Sequence, residues 1–342
     1  MPFDPGPELL YPGFRPPADP DHLLSGRFPT GASTARPPRV WSPVSGIPAV
    51  STLRVAHQFL LPQHTLSRLV YRITRSRNRF VKDRLIRWFV RHYRVDLGEA
   101  RDRDPAAYLD FNSFFTRALR PGVRPLAADP ETLVSPADGR VSEFGTLDGE
   151  RLLQAKGRAY SAVDLLGGSE QRAAPFRGGA FLTIYLAPCD YHRVHMPQLG
   201  TLRESVYLPG RLFSVSDASS RSIPRLFARN ERVASLFDTP AGPMAIVLVG
   251  AMLVGFIDTV WGGPASYPYG RQPRVRRYPD TNAQAPTLAR GAQMGHFGMG
   301  STVILLFPRG RVEWAPALET GAPVRVGEPV GRRVGGAQGS AA

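Results

Sequence analysis

Cysteine and lysine are scarce in this sequence. Cys189 is the single cysteine among 342 residues, so the chain cannot form an internal disulfide framework. Of the 43 basic residues, only Lys82 and Lys156 are lysines. Because pyridoxal phosphate is held by a lysine Schiff base, this scarcity leaves little scope for that cofactor, and we expect none.

Long apolar runs and a secretory start are also absent. The longest apolar run extends from Met244 to Ile257, which is 14 positions with two glycines. That length is too short for a membrane-spanning helix and favours a buried pair of strands. The first twenty residues are rich in proline and acid, so they do not resemble a secretory signal. We therefore expect the protein on the cytoplasmic side of the membrane.

Positive charge, in contrast, is abundant. The formal net charge is +15, which indicates an anionic partner: nucleic acid, an acidic substrate or an anionic membrane surface. Residues 51–100 hold eleven Lys or Arg against three Asp or Glu, which is more than half of the excess. Nucleic acid is the weakest of the three, because no zinc-finger spacing, helix-turn-helix or aromatic RNA-binding signature accompanies the charge.

A basic and amphipathic helical pattern extends from about Thr52 to Tyr93. In its second half, apolar and aromatic residues recur at helical spacing, namely Val81, Leu85, Trp88, Phe89 and His92. Arginines gather on the other side, namely Arg84, Arg87, Arg91 and Arg94. Such helices suit the headgroup region of an anionic bilayer. The alternative is a solvated charged helix that packs on the core.

Composition divides the chain into four regions. Residues 1–50 hold 12 of the 34 prolines without a sustained period, which predicts a disordered extension that the chemistry does not need. Residues 51–120 form a helical membrane-association region, which ends with a short helix from Phe111 to Arg120. Residues 121–334 form a β-rich catalytic core, and residues 335–342 form a frayed tail.

The core region shows short apolar runs separated by Gly, Pro and Asp turns. The predicted strands are Leu133-Val134, Arg140–Phe144, Ala180–Leu186, Gly200–Leu208, Val233–Phe237, Ala245–Leu248, Leu253–Thr259, Thr302–Phe307 and Arg311–Trp314. Many short strands at such spacing favour an antiparallel sheet with helices confined to one end. The predicted fold class is α+β, with N-terminal basic amphipathic helices followed by a mainly antiparallel β core with short helices.

Ser301 stands where a glycine-rich turn meets a buried strand. Gly300 can take strained dihedrals, so the Ser301 hydroxyl could reach the carbonyl carbon of Gly300 and attack its own peptide bond. An ordinary turn is the commoner meaning of the tetrapeptide Met299–Thr302, so this hypothesis needs cooperating residues.

The segment from Pro188 to Pro197 holds two histidines and a carboxylate. An imidazole there could be the general base for a serine hydroxyl, with a buried carboxylate to fix its tautomer. Cys189, His192 and His195 also have a spacing open to metal ligation, but a fourth ligand is not evident, and we expect no metal. Asp138, in the turn Ser135–Gly139, could simply cap its own backbone.

Together these motifs resemble the phosphatidylserine decarboxylase proenzymes of bacterial type. The resemblance runs from about Phe59 to Val330 and rests on motifs in the family's order, namely Phe111–Arg117, Ser135–Gly139, Tyr185–Pro197, Pro209–Val215, Phe227–Val233, Phe237–Ala245 and Gly300–Thr302. Each motif is weak alone, and their joint occurrence is specific. The chain departs from the family at Met299, where members commonly have leucine, and in its N-terminal extension.

The resemblance implies self-cleavage between Gly300 and Ser301, with Ser301 converted to a pyruvoyl group that forms a Schiff base with the substrate. Asp138, His195 and Ser301 would form the self-cleavage triad, and His192 would serve decarboxylation. The expected enzyme is a carboxy-lyase that converts phosphatidylserine to phosphatidylethanolamine and carbon dioxide. Its large and small chains would come from one precursor, bound peripherally to the cytoplasmic face of an anionic membrane.

Two alternatives stay open at this point. A non-catalytic anionic-lipid-binding homologue would keep the fold and remain a single chain. A serine hydrolase using the same triad would react with a hydrolase probe at Ser301 while its chain stays intact.

Overall fold

The computed structural model describes residue 58 and residues 63–155, 158–252, 256–264, 272–279, 284–298 and 301–334. The extension predicted for residues 1–50 and the tail predicted for residues 335–342 lie outside the described residues. Helices precede a mainly antiparallel sheet structure, so the predicted α+β class is confirmed.

Among the described residues, the largest sheet has nine strands, each antiparallel to its neighbours. They are β2 (Gly139–Thr146), β5 (Ala180–Leu186), β7 (Gly200–Leu208), β8 (Arg232–Thr239), β9 (Gly242–Gly250), β12 (Arg274–Arg277), β13 (Thr287–Leu288), β15 (Ser301–Phe307) and β17 (Pro323–Val324). Their order is β12-β7-β8-β9-β15-β5-β2-β17, and β13 also pairs with β7. The strand that begins at Ser301 therefore lies in the interior of the sheet.

Three smaller sheets complete the described β structure. One contains β1 (Thr132–Val134), β18 (Pro329–Arg333) and β16 (Val312–Trp314). A second contains β11 (Gly263–Pro264), β10 (Ile257–Thr259), β14 (Gln293–Phe297) and β6 (Arg193–His195). The third is a hairpin of β3 (Arg151–Ala155) and β4 (Arg158–Ser161).

The predicted strands are largely confirmed. Ala180–Leu186 and Gly200–Leu208 have the predicted bounds, and most of the others extend by one to three residues. The run from Met244 to Ile257 is divided between β9 and β10, as its two glycines indicated. In the predicted strand Leu253–Thr259, the described strand is Ile257–Thr259, and residues 253–255 lie outside the described part.

Both faces of the large sheet are buried, because successive side chains of a strand point to opposite faces. Val303, Leu305 and Phe307 of β15 enter one hydrophobic cluster, whereas Ile304 and Leu306 enter another. The first cluster also receives apolar residues of β6, β10 and β14. By alternation, the side chain of Ser301 faces this first cluster and the small sheet that carries β6.

The helices are short apart from the two at the start of the described chain. Their bounds are α1 (Gln63–Thr74), α2 (Arg79–Tyr93), α3 (Phe111–Phe115), α4 (Ala162–Leu165), α5 (Glu170–Ala173), α6 (Asp217–Ser222) and α7 (Leu226–Arg229). Single 3-10 turns occur at Pro105–Ala107 and Ala174–Phe176. No helix among the described residues is long and apolar enough to cross a membrane.

The helical pattern predicted from Thr52 to Tyr93 is interrupted between α1 and α2. Asn78 begins the second helix, because its side-chain oxygen accepts hydrogen bonds from the backbone N–H groups of Phe80 and Val81. The helix predicted from Phe111 to Arg120 is also shorter than expected. It ends at Phe115, and Arg117 then turns its side chain into the interior.

The predicted division of α2 into an apolar side and an arginine side is partly wrong. Phe89 is buried with Ile86, but Trp88 is 53% exposed and stacks on His92 with 5.0 Å between ring centroids. Phe80, at the start of the helix, is 84% exposed. Its buried face instead includes Lys82, whose Nζ donates to the carbonyl of Ala106 and pairs with a neighbouring carboxylate. The tertiary contacts of α2 therefore bury a different face of the helix from the one that helical spacing predicted.

We expect Asn230→Ala to lower the free energy of unfolding by about 3 kcal/mol, because it removes the hydrogen-bond partner of buried backbone groups. The Asn230 side chain accepts from the N–H of Phe213 and donates to the carbonyls of Phe213 and Gly250. Urea unfolding in a Ser301→Ala background, which keeps one covalent species, measures this loss. The half-buried Asn112→Ala is the control, with an expected loss under about 1 kcal/mol. Equal losses in both variants would contradict the assignment.

Candidate active site

Ser301 is a fully buried serine whose hydroxyl has no hydrogen-bond partner among the described residues. It is the first residue of β15 and lies opposite Leu186 of β5 and Gly250 of β9. Directly opposed residues point to the same face, so Gly250 leaves the space on one side of Ser301 without a side chain. Burying an unpaired hydroxyl costs about 1–3 kcal/mol. Such an atom calls for an explanation, although the hydroxyls of Ser235 and Thr302 are also buried without a partner among the described residues.

His192 is a second fully buried group with an unpaired atom. It lies in the connection between β5 and β6, and its carbonyl accepts from the N–H of Phe297 at the end of β14. Its Nδ1 is 2.9 Å from the carbonyl oxygen of Asp190 and must carry the hydrogen, because a carbonyl only accepts. The Nε2 atom therefore holds a lone pair, for which the described residues offer no partner. Burial, with the charge of Arg117, lowers the pKa of His192 to about 3, so the ring is neutral.

His195 is also held as a neutral ring with a defined tautomer. Its Nδ1 donates to the carbonyl of Gly291 at 2.8 Å, and its Nε2 lies 3.1 Å from the hydroxyl of Tyr191. The Tyr191 hydroxyl must donate to Nε2, since that nitrogen carries the lone pair. Burial lowers the pKa of His195, while the Gly291 carbonyl and the charge of Asp138 act in the opposite direction.

Asp138 is buried in an ion-pair network and does not cap its own turn. Its carboxylate accepts from Arg124 at 2.5 Å and from the N–H of Val326 at 2.9 Å. Arg124 also pairs with Glu99 at 2.6 Å. The glycine that follows Asp138 is required, because a Cβ at Gly139 would lie 2.3 Å from the carbonyl oxygen of Tyr185.

Hydrogen bonds among the described residues do not join the predicted site residues to one another. The backbone N–H of His195 donates to the carbonyl of Pro136, two residues before Asp138. The charge of Asp138 acts to raise the pKa of His195. The hydrogen bond that fixes the His195 tautomer, however, goes to the carbonyl of Gly291 and not to Asp138. Ser301 faces the hydrophobic cluster that contains Val194, the neighbour of His195, but it makes no hydrogen bond within the described residues. The triad and the role of His192 stay predictions.

Sequence reasoning missed several residues at this site. Tyr191 precedes His195 by four residues in the same motif, so it could have been noticed as a partner. Arg124 and Gly291 lie outside the motifs, and only folding reveals them. Arg117 ends the motif Phe111–Arg117, and the sequence indicated no role for it. Its Nη2 donates to the carbonyls of Cys189 and Asp190.

The described structure does not support a metal site at Cys189, His192 and His195. Within the described ranges, no three or more His, Cys, Asp or Glu side chains gather to hold a metal ion. Burial raises the pKa of the Cys189 thiol to about 11, and its Sγ lies 3.8 Å from a carboxylate oxygen of Asp190. The thiolate form that binds metals is therefore disfavoured at this position.

Sequence comparisons identify relatives that cover most of the chain. A family model described as Phosphatidylserine decarboxylase matches residues 111–332, and another described as PSD matches residues 53–94. The phosphatidylserine decarboxylase proenzyme of Stutzerimonas stutzeri is 53% identical over 281 residues, which is 82% of this chain and 94% of that protein. The protein of the same name from Bordetella pertussis is 54% identical over 283 residues, or 82% and 95%. That from Nitrosococcus oceani is 53% identical over 278 residues, or 81% and 90%.

An α+β core that buries an unpaired serine and holds two neutral histidines, together with these relatives, defines the class as decarboxylase proenzymes. The resemblance seen in the sequence motifs is thereby confirmed. The chain belongs to the phosphatidylserine decarboxylase family.

The neutral state of His192 predicts a pH dependence of stability. Its pKa is lower in the folded chain than the ordinary 6.5, so below pH 6.5 the unfolded chain binds a proton that the folded chain does not. Stability is therefore lost as the pH falls from 6.5 toward 3. Between pH 7 and pH 5 we expect His192 to account for a loss of about 2 kcal/mol in the free energy of unfolding.

The measurement is urea unfolding at pH 7 and pH 5 in the Ser301→Ala background. His192→Gln should remove that part of the pH dependence, whatever it does to stability at either single pH. The same substitution at the exposed His92 is the control for the exchange of histidine for glutamine. A His192→Gln variant with the parent's full pH dependence would show that the ring is not held neutral.

Proposed function

We propose that the chain is a proenzyme that cleaves itself between Gly300 and Ser301 and then converts phosphatidylserine to phosphatidylethanolamine and carbon dioxide. The observation that carries this proposal is the buried hydroxyl of Ser301, which has no partner among the described residues at the start of a central strand. Relatives 53% and 54% identical bear the name phosphatidylserine decarboxylase proenzyme. Cleavage gives a large chain of residues 1–300 and a small chain of residues 301–342.

The surroundings of Ser301 fit a pyruvoyl group formed from that serine. Leu186 lies on one side of it, and Gly250 on the other side contributes no side chain. The unpartnered oxygen is the atom that such a conversion would remove from the buried strand. A pyruvoyl group supplies a carbonyl that captures the substrate amine and draws in the electrons released when carbon dioxide departs.

His195 is the base in the proposed maturation. The Ser301 oxygen attacks the carbonyl carbon of Gly300, an ester forms as the amide C–N bond breaks, and His195 takes the serine proton and passes it to the released amine. Its lone pair lies on Nε2, where the Tyr191 hydroxyl now donates, so Tyr191 must yield this position or relay the proton. Elimination of the Gly300 carboxylate then leaves dehydroalanine, whose imine form is hydrolysed to pyruvoyl and ammonia.

Asp138 supports His195 by its charge in this scheme. A negative charge near the ring stabilises the imidazolium that forms when the serine proton is taken. Because Arg124 already pairs with the carboxylate, part of that effect is screened. The Gly291 carbonyl supplies the orienting hydrogen bond.

His192 is the proton carrier in the proposed decarboxylation. Its Nδ1 hydrogen is committed to the Asp190 carbonyl, which fixes the ring and leaves Nε2 as the exchanging atom. A neutral Nε2 can accept a proton as the substrate amine reacts and return it to the carbon that has lost carbon dioxide. Phe115 packs against the ring with 4.1 Å between centroids and excludes water from one side.

The outer face of α2 is the proposed membrane surface, on the cytoplasmic side of the bilayer. Phe80 and Trp88 are exposed there, one at the first turn and one two turns later. The exposed cations on this helix include Arg84, Arg87 and Arg91. Exposed aromatic rings among arginines suit the interface of an anionic bilayer. Phosphatidylserine is itself anionic, so this surface would concentrate the enzyme where its substrate lies.

We expect Ser301→Ala to remain one uncut chain without decarboxylase activity, because the attacking oxygen is gone. His195→Ala and Asp138→Asn should also block or slow cutting, whereas His192→Ala should mature and lose at least about 100-fold in kcat. Intact-mass analysis reports both the cut and the identity of the new terminus. Cutting at residue 300 in Ser301→Ala, or normal kcat in mature His192→Ala, would contradict these roles.

We expect reversal of Arg84, Arg87 and Arg91 to Glu to release the protein from anionic vesicles. Each basic residue near the surface contributes about 1 kcal/mol, so binding should fall by more than about 100-fold. Co-sedimentation with phosphatidylserine vesicles measures this, and neutral phosphatidylcholine vesicles give the background. Deletion of residues 1–50 is the matched control and should leave binding and activity unchanged. Undiminished sedimentation of the triple variant would exclude this face of α2 as the membrane surface.

A further inference from the structure

Arg117 is a buried cation that uses only one of its three nitrogens. The residue is 4% exposed, and Nη2 donates to the carbonyls of Cys189 at 3.1 Å and Asp190 at 3.4 Å. Its Nε and Nη1 have no hydrogen-bond partner within the described residues. Burial lowers the pKa of the guanidinium, which shows how poorly its charge is solvated. A buried charge without a paired carboxylate lowers the stability of the folded chain, so its presence indicates a functional role.

This cation lies next to the candidate proton carrier. The carbonyl oxygen of Asp190 accepts from Arg117 Nη2 and also from His192 Nδ1, so the guanidinium and the imidazole flank one atom. The charge of Arg117 contributes to the lowered pKa of His192, and the charge of Asp138 reaches Arg117. The guanidinium therefore lies beside His192, the proposed proton carrier.

The carboxylates nearest to Arg117 are engaged elsewhere. Asp138 is bound by Arg124, and the Asp190 carboxylate accepts from the N–H of Ala187 and the thiol of Cys189. No ion pair of Arg117 occurs among the described side chains. Its Cζ lies 5.7 Å from the centroid of the Phe114 ring, and its charge remains able to pair with an anion from outside the chain.

We propose that Arg117 is the anion-binding residue of the active site and that it takes the phosphodiester oxygens of the substrate headgroup. This inference rests on the function proposed above. A guanidinium is the side chain best suited to phosphate oxygens. Because the side chain is buried, the residues around Arg117 must move to admit the anion.

The reaction itself favours the phosphodiester over the carboxylate, which is the other anion of the headgroup. The carboxylate leaves as neutral carbon dioxide, so a cation bound to it would stabilise the ground state more than the transition state and slow the reaction. The charge of the phosphodiester does not change between substrate and product. Holding it positions the amine and the carboxylate without this penalty.

The experiment compares Arg117→Gln and Arg117→Lys with Arg120→Gln, an exposed arginine three residues away, after intact-mass analysis has shown that each protein is mature. Two quantities are measured: KM for short-chain phosphatidylserine, and the inhibition constant of short-chain phosphatidylethanolamine. The second ligand is the product, which keeps the phosphodiester but lacks the carboxylate. In Arg117→Gln both constants should rise at least tenfold, with a smaller change in kcat, and Arg117→Lys should be intermediate. Arg120→Gln should match the parent protein.

Three results would overturn the proposal. A raised KM for phosphatidylserine with unchanged inhibition by phosphatidylethanolamine would assign Arg117 to the carboxylate. Changes confined to kcat and its pH profile would make Arg117 only a positioning residue for His192.

The third result needs no variant, in case the substitutions prevent folding. Inhibition of the parent enzyme by a short-chain alkylamine without phosphate, as strong as that by phosphatidylethanolamine, would show that no phosphodiester site exists. A parent protein without decarboxylase activity would instead contradict the proposed function.

Discussion

The pairing of β15 on both of its edges is the constraint on which the rest of the structure depends. Seven residues of β5 and six of β9 oppose it in continuous antiparallel register, and each register begins at Ser301. Because side chains alternate along a strand, this register decides that Ser301 faces the cluster shared with β6 and β14. A slip by one residue would turn the hydroxyl to the opposite face. The proposed chemistry therefore depends on a ladder of backbone hydrogen bonds more than on any loop.

Three successive residues, the last of α3 and the two that follow it, connect the N-terminal helices to the histidine segment. Phe115 packs on the ring of His192, the carbonyl of Thr116 accepts from Nε of Arg193, and Arg117 donates to the carbonyls of residues 189 and 190. Phe115 in turn contacts Phe89, on the buried face of α2. The outer face of α2, proposed as the membrane surface, and the proposed proton carrier therefore share one aromatic cluster. Such packing would hold the two functions at a fixed separation.

The charges of the site are arranged so that its histidines stay neutral. Burial lowers the pKa values of His192 and His195, and neighbouring arginines contribute to both shifts. Asp138 is the nearby carboxylate that acts against this at His195, and its effect is limited because Arg124 pairs with it. In both rings Nδ1 is committed to a carbonyl, so the lone pair that can accept a proton lies on Nε2. The network is thus suited to proton transfer between neutral groups.

The sequence by itself determined the class of fold, the positions of most of the longer strands and the family. Short apolar runs between turn residues specify strands locally, and the motifs lie in segments that the sequence orders directly. It could not identify the partners of the chemical groups, because these are remote along the chain. The N–H that binds Asp138 belongs to Val326, 188 residues away, and the carbonyl that holds His195 is 96 residues away.

Tertiary structure alone also decided which face of α2 is buried and where Arg117 points. Helical spacing places Trp88 and Phe89 on one apolar side, but the aromatic residues of α3 bury only Phe89. Arg117 follows a short helix at a position typical of an exposed cation. Its side chain is nevertheless buried, where it donates to the carbonyls of residues 189 and 190. Both outcomes depend on surfaces that meet only after the chain has folded, which is why local pattern could not predict them.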